Sequence, residues 1–235
     1  MRAPIARTVA SAAAILLATS CRSAASSEAA DPPTPKTTTI DFESMETSRA
    51  PAGFTPMVTG EGLPSSWSVS YDSSAPSGKK VLAQTSRDEV SFHFPLCIFD
   101  GLTARDVAVS VRWKTVGGRM NRSGGIVTRF QDPDHFYCVR FNSLEDNVNL
   151  YQYHTRGARR QITGSYHLRL TEEVWHTLRV ELRGTRIRAW YDGALQFETD
   201  DASILAPGKV GLWTKSDSVT YFDDLVIESL DERGR

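Results

Sequence analysis

No charge of one sign dominates this chain: 27 Lys and Arg stand against 28 Asp and Glu, for a formal net charge of −1. Phosphate backbones are gripped by clustered basic surface, so the balance gives no electrostatic ground for nucleic acid as a partner. Cysteine is scarce as well, and the three present form no Cys-x-x-Cys pair and no Cys/His spacing of a zinc site. Helical periodicity is nearly absent after Thr39, and no apolar run reaches the roughly 20 residues that span a bilayer. No Gly-x-Ser-x-Gly nucleophile elbow occurs, and the histidines are scattered. His135, His154, His167 and His176 therefore read as strand or rim residues rather than general bases.

What is present begins with a leader. Arg2 and Arg7 precede the short apolar stretch "VASAAAILLA", which ends at "LATSC". Small residues before Cys21 resemble the lipobox of bacterial lipoproteins, in which the cysteine becomes the lipidated N-terminus. Ala18 departs from the commoner leucine, and a plain secretory signal cleaved nearby is the alternative. Arg22 follows the cysteine where an inner-membrane retention aspartate would stand, which favours the outer membrane in a cell that has one. Residues 1–20 are thus expected to be a signal peptide, and 21–38, rich in Ser, Ala, Pro and Thr, a flexible tether. The expected address is the cell envelope, with membrane contact through the lipid at Cys21 only.

That compartment permits disulfides, which leaves Cys97 and Cys138 as a candidate pair. Both lie inside apolar runs, "FPLCIF" and "FYCVRF", so two buried free thiols are the other reading.

From Thr39 onward the chain alternates. "VAVSVRWKT", "GGIVTRFQ", "HFYCVRFN", "VNLYQYH", "TRIRAWYD" and "KVGLWTK" have strand length and β-branched or aromatic enrichment. Gly, Pro, Asp and Asn clusters separate them, and Asp192-Gly193 in "WYDGALQF" supplies the positive φ angles of a type I′ hairpin turn. About a dozen closely spaced strands predict an all-β, two-sheet antiparallel sandwich over 39–230, followed by a short tail, 231–235.

The order of pieces adds a resemblance. "IDFESMETSRAPAGFTP" opens it, "GGIVTRFQDPDHFYCVRFNSLEDNVNLYQY" fills the middle, and "VWHTLRVELRGTRIRAWYDGALQFET" with "PGKVGLWTKSDSVTYFDDLVIES" closes it. Together these resemble the concanavalin A-like lectin/glucanase jelly roll, nearest to LamG-like and 3-keto-disaccharide hydrolase-like domains of secreted bacterial proteins. The resemblance implies the fold; the superfamily hosts lectins, binding modules, hydrolases and lyases alike. A retaining glucanase of this fold would carry Glu-x-Asp-x-x-Glu or Glu-x-Asp-x-Glu on one strand, setting two carboxyls about 5–5.5 Å apart. This sequence has neither run. The resemblance also implies a structural calcium joining the N-terminal segment to the last strand, at Glu43 in "DFES" and Asp223 in "YFDDLV". Asp41 is the alternative to Glu43, and solvated strand charges are the alternative to a metal site.

Alternation supplies candidate ligand residues. Arg129 in "GGIVTRFQ" and Arg140 with Asn142 in "HFYCVRFN" are mid-strand polar groups that face water, pair with a carboxylate or grip a ligand. Glu145 and Asn147 follow in the next turn, and Trp213 in "LWTKSD" is either core or a stacking platform. The basic run Arg156, Arg159, Arg160 reads as a solvated loop. These features predict a membrane-tethered, extracytoplasmic module that binds a glycan or oligosaccharide without a catalytic set. The alternative is an enzyme of the 3-keto-disaccharide hydrolase-like type acting on oxidised glycosides, and a third reading is a structural envelope domain.

Overall fold

The computed structural model describes Met1 and residues 36–155 and 157–231. The signal segment, the lipidation residue Cys21 and the tether up to residue 35 lie outside the described residues, as do 232–235. Among the described residues there are fifteen strands and no helix. In chain order they begin with β1 (Lys36–Ile40), β2 (Phe54–Gly60), β3 (Trp67–Tyr71), β4 (Lys80–Gln84) and β5 (His93–Ala104). The middle of the chain forms β6 (Val107–Gly117), β7 (Ser123–Asp132), β8 (His135–Asn142), β9 (Asn147–His154) and β10 (Ala158–Tyr166). The rest forms β11 (His176–Arg183), β12 (Arg186–Tyr191), β13 (Ala194–Asp200), β14 (Gly208–Thr214) and β15 (Val219–Ser229).

These strands make two antiparallel sheets, the sandwich expected from the alternation. One has the order β13-β12-β11-β6-β15-β4-β3 with β1 also on β15, and the other β10-β9-β8-β7-β14-β5-β2. The β12–β13 turn has Asp192 at φ 45° and Gly193 at φ 80°, the pair of positive angles that Asp-Gly accommodates. The tether ends earlier than its composition implies. Lys-Thr-Thr-Thr-Ile is β-branched, and as β1 it pairs in register with Leu225–Ser229. At the other end Asp231 belongs to the fold rather than to a tail, its carboxylate accepting the Arg105 and Asp106 amides at 2.9 and 2.7 Å.

The inner faces bury one apolar core, in which Val109, Val111, Leu178, Val180 and Ile227 of one sheet meet Ile126, Val139, Leu150 and Leu212 of the other. Trp113 and Phe141 stack across the sheets with ring centroids 3.5 Å apart and planes 13° from parallel. The seven-stranded sheet is apolar on its outer face too. There Phe94, Leu96, Val127, Phe136, Cys138, Tyr153 and Trp213 form a second cluster.

This doubling separates the two cysteines, which are free. Cys97 belongs to the inner cluster and Cys138 to the outer one. β14 and β7 lie between their strands, which puts the backbones about 14 Å apart at ordinary strand spacing, well beyond the roughly 7 Å limit of a disulfide. The candidate disulfide is therefore corrected to two buried thiols.

Candidate functional site

The outer face of the seven-stranded sheet carries a polar network beside its aromatic cluster. Pairing sets Leu96, Trp213, Gly125, Arg140, Asn149 and Gly164 in one row across β5, β14, β7, β8, β9 and β10. The two glycines make room for the large polar groups. A Cβ at Gly164 would collide with Asn149 Oδ1, and one at Gly125 would press on Val139 O and the Arg140 backbone.

Arg140 is buried in this row and reaches two partners. Its Nη2 donates to Glu145 Oε2 at 2.7 Å and its Nη1 to the Tyr151 hydroxyl at 3.2 Å. Glu145 folds back onto the strand because the β8–β9 turn contains Asp146 in the left-handed region, at φ 48°. Asn147 Nδ2 donates to the same carboxylate oxygen at 3.1 Å, and Asn149 Nδ2 donates to Asn147 Oδ1 at 3.2 Å. The Tyr151 hydroxyl donates to Gln161 Oε1 at 3.3 Å, and Gln161 Nε2 bonds to Tyr166 at the rim. Two atoms in this chain of bonds have no partner although both are buried: Arg140 Nε, a donor, and Asn149 Oδ1, an acceptor. Leaving such groups unmade costs about 1–3 kcal/mol each.

Arg159 lies on the aromatic side of the network. Its guanidinium carbon is 4.3 Å from the Tyr151 ring centroid, 5.1 Å from Phe94 and 5.9 Å from Trp213, and Nη1 donates to the Tyr153 hydroxyl at 3.1 Å. Lys215 completes the charges. Burial and the neighbouring Arg159 and Arg140 lower its pKa from the ordinary lysine value, with Glu145 opposing through space. Burial pushes the Glu145 carboxyl up, but the Arg140 charge and hydrogen bonds from Arg140 and Asn147 outweigh that and hold it low.

The expected residues divide. Arg140, Glu145 and Asn147 come together. Asn142 borders them, but its Nδ2 turns to Asn121 Oδ1 at 3.3 Å and its Oδ1 holds the Leu144 amide at 3.0 Å. Trp213 shares the face yet is fully buried, stacked on Phe94 at 5.9 Å, so it is floor rather than exposed platform. Arg129 does not join them. A bulge between Thr128 and Asp132, with Arg129 itself at φ 47°, breaks the alternation that put it beside Arg140. Its guanidinium instead donates to Arg105 O, Ile204 O and Gly184 O at 2.9, 2.8 and 2.6 Å, with Asp106 Oδ1 at 3.4 Å. Arg129 is a staple between chain segments. Arg159 is the reverse case, a supposed loop charge that sits on the aromatic cluster.

At the other end of this face Met57, Ile98, Asp100, Phe130, Gln131 and Lys209 line a cleft of about 310 Å³. Its charges satisfy each other, Lys209 Nζ lying 2.7 Å from Asp100 Oδ1, whereas the Arg140 network has unmet groups. His176 is also internally satisfied: Nδ1 is 2.7 Å from Asp192 Oδ2, and Nε2 is 3.0 Å from Thr171 O.

Glu43 and Asp223 converge where β15 changes partners. β4 pairs with Thr220–Phe222 and β1 with Leu225–Ser229, so Asp223 falls at the handover. The turn before β4 holds both carboxylates: Ser77 N donates to Asp223 at 3.1 Å and Lys79 N to Glu43 at 2.7 Å. Burial, with Asp224 and Glu43 nearby, raises Asp223 to about 6. The Lys80 ammonium sits on Glu43 O and Met45 O, not on the carboxylates. Among the described residues no group of three or more His, Cys, Asp or Glu is placed to hold a metal ion.

No family model matches the chain, and no curated protein matches it by sequence. Solved structures do match by shape. The carbohydrate binding module CBM66 from Bacillus subtilis is 19% identical, with a TM-score of 0.58 over 75% of this chain and 96% of that one. Domain 4 of AbnA, a GH43 extracellular arabinanase from Geobacillus stearothermophilus solved with arabinotriose, is 12% identical, with a TM-score of 0.53 over 84% and 94%. A protein of unknown function with a galectin-like fold from Bacillus subtilis is 10% identical, with a TM-score of 0.53 over 75% and 89%. The chain has the concanavalin A-like jelly-roll fold.

Proposed function

We propose that this domain binds a carbohydrate on the outer face of the seven-stranded sheet, around Arg140, Asn147, Asn149, Tyr151 and Gln161, and does so without turnover. The observation that carries the reading is one continuous polar network, Asn149–Asn147–Glu145–Arg140–Tyr151–Gln161, that runs beside the aromatic cluster out to the accessible Glu145 and Gln161. A sugar ring offers adjacent hydroxyls that can both donate and accept, which suits the amide and carboxylate at the accessible edge of this network, Gln161 and Glu145. Glu145 is the one carboxylate among these side chains, whereas glycoside hydrolysis ordinarily needs two flanking the bond. Fold neighbours that include a carbohydrate binding module and an arabinanase domain solved with arabinotriose are in keeping with this reading.

In the same proposal, Cys21 carries a lipid and residues 22–35 tether the domain in the cell envelope. The leader and its small residues before the cysteine support that placement.

Calcium belongs to the proposal as a structural ion at Glu43 and Asp223. The residues fit it because Asp223 is buried, destabilised as an anion, and joined to no cationic side chain among the described residues. Calcium needs few carboxylates when main-chain carbonyls complete its shell.

A glycan array probed in calcium, followed by calorimetry on the hits, tests the binding claim. Arg140→Ala should weaken binding tenfold or more, as loss of a charged hydrogen bond implies. Tyr151→Phe should weaken it less and lower the melting temperature modestly, because Arg140 Nη1 loses a buried acceptor. No binding to any glycan by a folded protein would overturn the reading.

A further inference from the structure

We infer that Tyr166 is the stacking platform of this face, and that the glycan it takes is a hexopyranoside seated by its C–H face on the phenol ring. The inference rests on the carbohydrate-binding face proposed above.

The first ground is where the ring is put. β10 is an edge strand, and its register on β9 shifts between Gln161 and Thr163. Simple alternation would point Gln161 and Gly164 to opposite faces. With the bulge, Gln161, Gly164 and Tyr166 stand opposite Tyr151, Asn149 and Asn147, on the same face as the polar network. Ile162 is the residue turned inward, against the core. Gly164 leaves a gap on this side of β10, and across it Gln161 Nε2 donates to the Tyr166 hydroxyl. The phenol is therefore held at its backbone and at its tip. A ring fixed in this way loses little freedom when a sugar stacks on it.

The second ground is access. Tyr166 is 51% exposed, whereas Tyr151 and Tyr153 on the neighbouring strand are buried and Trp213 wholly so. An aromatic face is electron-rich, so the polarised C–H bonds of a sugar cover it better than water does. Polar partners stand at its margin. Glu145 gives Oε2 to both Arg140 and Asn147, and its Oε1 has no partner among the described residues, on a side chain 49% exposed. Asn147, opposite Tyr166 in register, links the ring to that carboxylate. Gln161 Nε2 carries a second hydrogen beyond the one given to Tyr166. A sugar lying on the phenol thus meets an acceptor and a donor at its edge, where its hydroxyls are.

The ligand class follows from shape. A hexopyranose chair gathers axial C–H bonds on one face and sends its equatorial hydroxyls to the rim. A furanose ring is smaller and carries substituents on both faces, so it covers a phenol poorly.

Calorimetry with cellotriose, mannotriose and β-1,4-galactotriose, against arabinotriose, tests this, with proton NMR of the sugar as the second readout. At least one hexopyranoside should bind, more tightly than arabinotriose, and its ring C–H signals should move upfield. Tyr166→Ala should weaken that binding about fivefold to tenfold and abolish the upfield shift, with little change in melting temperature. Tyr166→Phe, which keeps the ring, should stay within about threefold of wild type and keep the shift. Tyr71→Ala, which deletes an exposed ring on the other sheet, should change neither. Wild-type affinity in Tyr166→Ala, or bound sugar without an upfield shift, overturns the platform while sparing the binding face. Arabinotriose bound as tightly as the hexopyranosides, or none of the four bound, overturns the ligand class. Binding to no glycan on an array overturns the face as well.

Discussion

Arg140 and Glu145 are joined at 2.7 Å although their side chains are 3% and 49% exposed. The pair spans the boundary between the sheet face and water, so the carboxylate orients the buried guanidinium. Because Glu145 is half in solvent, the pair is worth little to stability, about 0–1 kcal/mol. Glu145→Gln should therefore barely change unfolding by denaturant at pH 7 yet weaken glycan binding several-fold. Its pKa is held low in the fold. Its small contribution is thus present above the unfolded value near 4 and lost as pH falls through the lower folded value. Wild type and variant should converge in stability in acid, and a gap that widens there would contradict the pairing.

Arg129 tests the opposite role. Its buried guanidinium holds three main-chain carbonyls and faces Asp106. Arg129→Met should cost on the order of 3 kcal/mol, because it strands buried partners. Where the protein remains folded, glycan affinity should stay within about twofold of wild type, since the inferred ligand and Arg129 share no contact. Loss of affinity at unchanged stability would return Arg129 to the binding face.

Asp223 carries a pH signature of the other sign. Its folded pKa, about 6, is above the unfolded value, so the native state holds a proton that the unfolded chain releases. Stability should fall as pH rises from about 4 to about 6 and level off above, a loss of about 2–3 kcal/mol at most for a two-unit shift. Asp223→Asn should recover much of that at pH 8 in chelator. Calcium should raise the wild-type melting temperature and leave the variant unmoved. A destabilised Asn variant at pH 8, or equal calcium response in both, would contradict this account of the site.

Cys97 and Cys138 are buried thiols whose acidity burial suppresses, Cys138 being raised to about 12. In a Cys21→Ser background a thiol reagent should detect neither in the native protein and both after unfolding. Reductant should not shift the melting temperature. A single unreactive pair in denaturant without reductant would restore the disulfide.

The strands were legible because alternation and turn residues are local. Arg140 and Asn142 could be placed on one face by counting twos along β8, with Glu145 and Asn147 only in the turn beyond. Arg129 could not, since one bulge with a left-handed residue reverses the count and leaves no mark in composition. Trp213 was ambiguous because β14 is buried on both faces, where alternation no longer separates inside from outside. Arg159 looked like a loop charge among Arg156 and Arg160. Only the pairing of β10 with β9 sets it opposite Tyr153 and over the aromatic cluster. Cys97 and Cys138 looked pairable until strand order put β14 and β7 between them.

The most direct measurement is mapping of backbone amide shifts by NMR as an array-selected oligosaccharide is added. The largest saturable shifts are predicted at Gly125, Arg140, Asn149, Gly164 and Lys215, and they should vanish in Arg140→Ala. Shifts centred instead on the Asp100–Lys209 cleft, or on the opposite sheet around Trp190 and Arg179, would contradict the placement of the binding face.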